Sequence, residues 1–143
     1  MKSRFALVAA LTLLVLGGLG TAQANPQLEA TLTGSEEVNG GDPDGSGTAV
    51  INLSFGNNRI CFSLTVTGIV PATAAHIHRG AAGANGSVVV TLAPPPSGGS
   101  SLACVIADPE LMKEIWQTPE NFYVNVHNAD YPGGALRGQL HKK

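Results

Sequence analysis

Apolar residues recur at every second position along much of this chain. Ala49, Ile51, Leu53 and Phe55 alternate with Thr48, Asn52 and Ser54, and Ile60, Phe62, Leu64 and Val66 alternate with Ser63, Thr65 and Thr67. A period of two belongs to an extended strand that buries one face. Gly56, Asn57 and Asn58 separate the two runs and predict a tight turn, so the pair reads as a hairpin. The stretches LEATLTG from residue 28, AHIHRG at 75–80, SVVVTL at 87–92, NFYVNVHN at 121–128 and ALRGQL at 135–140 read as further strands. GGDPDGSG and APPPSGGSS are too rich in glycine, proline and serine to sustain a ladder and are assigned to loops. One segment has a helical period: Asp108 offers an N-cap, Pro109 the first helical position, and Leu111 and Ile115 one apolar face ahead of Pro119. The pattern predicts an all-β protein, an antiparallel sandwich or barrel with one short helix.

Residues 1–24 depart from this pattern. Lys2 and Arg4 precede the apolar run FALVAALTLLVLGGLG, and Ala22, Gln23 and Ala24 form a small-x-small ending, the signature of a cleaved signal peptide. Gly17, Gly18 and Gly20 break the run, which is short for a bilayer span, so no membrane span is expected after cleavage. Residues 25–143 are then one secreted or periplasmic domain. Without Lys2 and Arg4, six of the chain's eight Lys and Arg face ten Asp and Glu, a net charge of −4. That balance provides no basic stripe for phosphates, and nucleic acid is excluded as a partner. Cys61 and Cys104 are the only cysteines, and in an exported chain a disulfide is the default, with two buried thiols as the alternative.

His76 and His78 flank Ile77, and in a strand the two imidazoles share one face while Ile77 enters the core. The predicted hairpin closed by residues 128–134 pairs His127 with Ala135, Val126 with Leu136, Asn125 with Arg137 and Phe122 with Leu140. This register sets His127, Asn125 and Arg137 on the outer face of their own strands. Three imidazoles without a thiolate suit copper or zinc, and copper leads on intrinsic affinity. His76, His78 and His127 are therefore the candidate metal ligands, with Asn125 and Arg137 as their supports. Asp130 is the nearest carboxylate in sequence. The competing reading is that the histidines donate hydrogen bonds to loop carbonyls and hold the glycine-rich connections in place. Arg79 is expected to bond loop carbonyls or a carboxylate, Met112 to lie in the core, and His141 to sit in a solvated tail. No nucleophile elbow, phosphate loop or Cys-His pair is present, and no catalytic residue is assigned.

Taken together, AHIHRGAAGANGSVVVTL, the helix, FYVNVHNADYPGGALRGQL and the earlier GSGTA strand entry resemble the CHRD domain, over roughly Leu28 to Leu140. The resemblance implies a Greek-key-like β-barrel or sandwich, superoxide-dismutase-like in outline, whose His-x-His strand is similar to the copper-ligand strand of the copper-zinc enzymes. Those enzymes use four histidines on copper and a bridging histidine with an aspartate for zinc. This chain has no evident bridging histidine, so dismutase activity is not the favoured reading. Two functions are carried forward: an exported domain that binds copper for metal handling or redox protection, and an extracytoplasmic structural or protein-interaction module.

Overall fold

The computed structural model describes residues 26–96 and 99–143. The predicted signal peptide therefore falls outside the described residues. Nine strands and one helix follow in the order β1 (Gln27–Thr33), β2 (Ser46–Ser54), β3 (Arg59–Thr67), β4 (Ala72–Arg79), β5 (Ser87–Leu92), β6 (Ser100–Ile106), α1 (Pro109–Gln117), β7 (Phe122–Asn128), β8 (Leu136–Gln139) and β9 (His141–Lys142). They form one antiparallel sheet ordered β5-β4-β7-β8-β1-β2-β3-β6, with β9 added beside β1. The sheet curls into a nearly closed barrel. At its open seam the Ser101 hydroxyl donates to the Ala93 carbonyl at 2.8 Å, bringing the end of β5 to the start of β6. No helix among the described residues is long and apolar enough to cross a membrane.

Alternation fills the interior. Leu28, Leu32, Ile51, Leu53, Ile60, Phe62, Leu64, Ile77, Val124, Val126 and Leu136 all point inward and are buried, the arrangement that a period of two requires. The helix starts where expected: the Asp108 carboxylate accepts from the backbone N–H groups of Glu110 and Leu111, and Pro109 takes the first position. Met112 and Ile115 are its buried residues, and Met112 lies in the core as predicted, while Leu111 packs at the edge of the core.

Four local expectations need correction. Ser100 and Ser101, assigned to a loop, open β6, a strand whose pairing with β3 overrides its weak start. Phe55 leaves the alternating run for a 3₁₀ turn and is exposed, because Asn58 in the left-handed region turns the chain there. The strand predicted over 135–140, β8, is shorter and stops at Gln139. His141, though exposed, is not in a free tail, since β9 pairs it with Glu29. Cys61 and Cys104 lie opposite each other on β3 and β6 with their sulfurs 2.05 Å apart. A bridge closing a 43-residue separation contributes roughly 4 kcal/mol in the chain-entropy model.

Candidate metal centre

β4 and β7 are neighbours in the sheet, and their register decides which outer side chains meet. His76 lies opposite Asn125, His78 opposite Tyr123 and His127 opposite Ala74, all in one continuous register that shifts only beyond Ala74, toward Ala72. His127 is thus the diagonal neighbour of His76, a distance that ring side chains can span. On the other edge of β4 the pairing with β5 skips Val89 between Ile77 and His78, a bulge of the kind that re-aims a side chain. One ring nitrogen from each of His76, His78 and His127 lies within 4.8 Å of the other two. His76 Nδ1 and His127 Nε2 are 3.2 Å apart, a separation two nitrogens keep when they share an ion at about 2 Å from each.

Hydrogen bonds fix two of the three tautomers. His78 Nδ1 is 3.0 Å from the Gly86 carbonyl, and His127 Nδ1 is 3.0 Å from the Pro132 carbonyl. A carbonyl only accepts, so both Nδ1 atoms carry the proton and both Nε2 atoms of the neutral rings present a lone pair. His127 Nε2 then receives the His76 Nδ1 proton. His78 Nε2 is buried and has no hydrogen-bond partner among the described residues, and a cation would satisfy its lone pair. Burial, and then the neighbouring imidazoles, lowers the pKa of His76; burial also lowers that of His78 against the opposing Gly86 bond. Both rings therefore stay neutral, the form that binds metal, further into the acid range.

The supporting residues form a layered assembly. Tyr123 stacks face to face on His78 with centroids 4.8 Å apart, and its hydroxyl accepts from the Gly86 N–H at 3.2 Å. Gly86 is thus held by both rings, and a Cβ there would fall 1.5 Å from the Arg79 carbonyl oxygen. The guanidinium carbon of Arg137 lies 3.5 Å from the Tyr123 ring centroid, and Arg137 donates to the carbonyls of Ala81 and Ala84 at 3.0 and 2.8 Å. Arg137 is only 1% exposed. Asn125 donates to the Glu37 carboxylate and to the Leu136 carbonyl. Burial pushes the Glu37 pKa up to about 7 against the opposing pull of Arg137 and of the Asn125 hydrogen bond. Glu37 also lines a cavity of about 230 Å³ with Asn39, Asn85, Asp130 and Tyr131.

Each candidate residue can now be placed. His76, His78 and His127 come together, half-buried rather than on the open surface; Asn125 and Arg137 share their face. Asp130 is exposed and lies outside the three-residue group. Arg79 pairs with Glu114 through two hydrogen bonds of 2.9 and 2.5 Å and takes the carboxylate alternative. Two residues escaped sequence reasoning. Tyr123 could have been found, since it shares parity with Asn125 and His127. Glu37 lies 88 residues from Asn125 and carries no local signal.

An antiparallel barrel with three outward imidazoles on adjacent strands defines the class: a small β-domain with a candidate metal centre. The CHRD domain model matches residues 28–140, and the chain belongs to that family. A search of curated proteins finds no match.

Proposed function

We propose that the chain is an exported CHRD-domain protein that binds one copper ion through His76, His78 and His127 and serves metal handling or redox protection outside the cytoplasm. The carrying observation is the pair of backbone carbonyls, Gly86 and Pro132, that hold two imidazoles as Nδ1–H tautomers. Carbonyl-bonded ring N–H groups are the usual support of ligating histidines, and losing such a support alone costs 10- to 100-fold in affinity. Copper is preferred to zinc because among the described residues no carboxylate or thiolate joins the group, and an imidazole set follows the intrinsic order of affinities. Export is supported by the signature in residues 1–24 and by the Cys61–Cys104 pair, at home in an oxidising compartment.

The second reading, a structural or interaction module, has its own support. The same bonds from His78 and His127, with those from Arg137, fasten two loop segments, around residues 80–86 and 131–135, without any ion. Titration separates the two. The full chain is expected to take up one equivalent of copper, supplied in either oxidation state, and to hold it more tightly than Zn(II). His78→Ala is expected to weaken copper binding by at least about 100-fold, more than loss of a supporting bond does. Absence of stoichiometric uptake of all three ions would leave the structural module as the function. A dismutase ranks third and requires turnover of superoxide by the copper-loaded chain, with an open coordination position.

A further inference from the structure

We propose that the centre selects monovalent copper, with the buried guanidinium of Arg137 as the residue that sets the preference. This rests on the metal-binding reading above and specifies its oxidation state.

The donor set is the first support. All three donors are neutral imidazoles, and among the described residues no carboxylate or thiolate belongs to the group. The ligands therefore cancel none of the ion's charge in a half-buried site, where every added unit of charge costs desolvation. A dication pays that cost more heavily than a monocation. Coordination number is the second. Cu(I), a filled-shell ion, is satisfied by three donors, whereas Zn(II) takes four and Cu(II) prefers a tetragonal set, so both need ligands beyond these three imidazoles.

The third support is a permanent positive charge beside the site. Arg137 packs over one ring that itself stacks on a ligand: its guanidinium carbon is 3.5 Å from the Tyr123 centroid, and Tyr123 is 4.8 Å from the His78 centroid. The guanidinium bonds the carbonyls of Ala81 and Ala84 and the side-chain oxygens of Asn85 and Gln139, all uncharged. Among the described residues no carboxylate forms an ion pair with it. Repulsion from this fixed charge scales with the charge of the bound ion, so it disfavours Cu(II) twice as strongly as Cu(I). Glu37, held by Asn125, is the carboxylate whose field partly offsets Arg137.

The test is a pair of competition titrations on the full chain: Cu(I) against a chromophoric cuprous chelator without oxygen, and Cu(II) against an aminocarboxylate. Cu(I) is expected to bind about 100-fold more tightly than Cu(II). That ratio raises the copper couple by roughly 120 mV over the free ion's, at 59 mV per decade for one electron. Both titrations are run at about pH 8, above the Glu37 pKa of about 7, so that its carboxylate is charged. Glu37→Gln then keeps a partner for Asn125, removes the offsetting negative charge, and is expected to widen the ratio by a further threefold or more. Equal or tighter binding of Cu(II) overturns the inference and leaves the metal centre standing. A ratio that Glu37→Gln leaves unchanged or narrows overturns the role given to charge. Failure of both copper ions to bind sinks this inference together with the metal centre itself.

Discussion

Two parts of one sheet carry polar residues outward with the same parity and meet opposite fates. On β1, β2, β3 and β6, Thr31, Thr48, Thr65 and Ser100 stand in one cross-strand row, and Thr33, Ser46 and Thr67 in the next. These side chains stay exposed or half-exposed, and their contacts are with one another, such as Thr65 to Ser100 at 2.8 Å and Ser46 to Thr67 at 3.0 Å. On β4, β7 and β8 the outward residues are His76, His78, Tyr123, Asn125, His127, Arg137 and Gln139. There the chain segments around residues 34–42, 80–86 and 131–135 fold over them, and Tyr123, Asn125 and Arg137 are buried. Alternation makes both faces polar. Only the loops make one of them a site, because covering polar groups forces each to find a specific partner.

The sharpest way to break this contrast is to remove the residue that ties a covering loop down. Arg137→Met keeps much of the stem but leaves the carbonyls of Ala81 and Ala84 without their charged donor. Hydrogen bonds to charged groups contribute about 1.5–3 kcal/mol each, so a loss of roughly 4–5 kcal/mol is expected in denaturant unfolding. Gly86, at the end of the same loop, would lose its fixed position under His78, and metal affinity would fall with stability. A loss below about 1 kcal/mol would show that the loop holds itself down and that coverage does not depend on the guanidinium.

The comparison also explains how much of the protein was legible beforehand. The strands and the inward set were readable because each residue's parity is a local fact, and the pairs Val126 with Leu136 and Asn125 with Arg137 followed from counting through a hairpin loop. The shared face of His76 and His78 was readable for the same reason. That His127 joins them was not, since it depends on β4 lying beside β7, two strands separated by the whole β5–β6–α1 excursion. β6 escaped because its start is serine and its outward residues, Leu102 and Ile106, are apolar and exposed, which blurs the alternation. Glu37 escaped because loop-to-sheet contacts leave no period in a sequence. The site was thus visible as ligands and invisible as an enclosure.

A pH titration probes the enclosure at Glu37. Its pKa is raised from 4.5 to about 7 by burial, so the folded state binds this proton more tightly than the unfolded chain. The stabilisation is fully present below about pH 4.5 and is lost as pH rises through about 7. Lowered values at His76 and His78 act in the other direction, their contribution being complete above 6.5 and lost as pH falls below it. Glu37→Gln removes the first effect alone. Relative to wild type, the variant is expected to gain stability between pH 4.5 and 7 by on the order of 1 kcal/mol, after discounting for the carboxyl's partial exposure. Parallel stability curves for the two proteins across that interval would mean that Glu37 meets the same solvent folded and unfolded, as an uncovered residue does.

The smallest expected effect lies on the open face, and it tests the other half of the contrast. Thr48 sits at the centre of its row, between Thr31 and Thr65, and is exposed. Thr48→Ala deletes a hydroxyl that water already solvates and a β-branched methyl group that favours the strand, two changes that together fall within about 0.5 kcal/mol. Copper affinity should be unchanged, since the row occupies strands outside the covered face. A destabilisation above about 1.5 kcal/mol would mean that the hydroxyl row acts as a coupled network rather than as independent solvated groups. Parity alone, without a covering loop, would then be enough to make outward polar residues structurally interdependent.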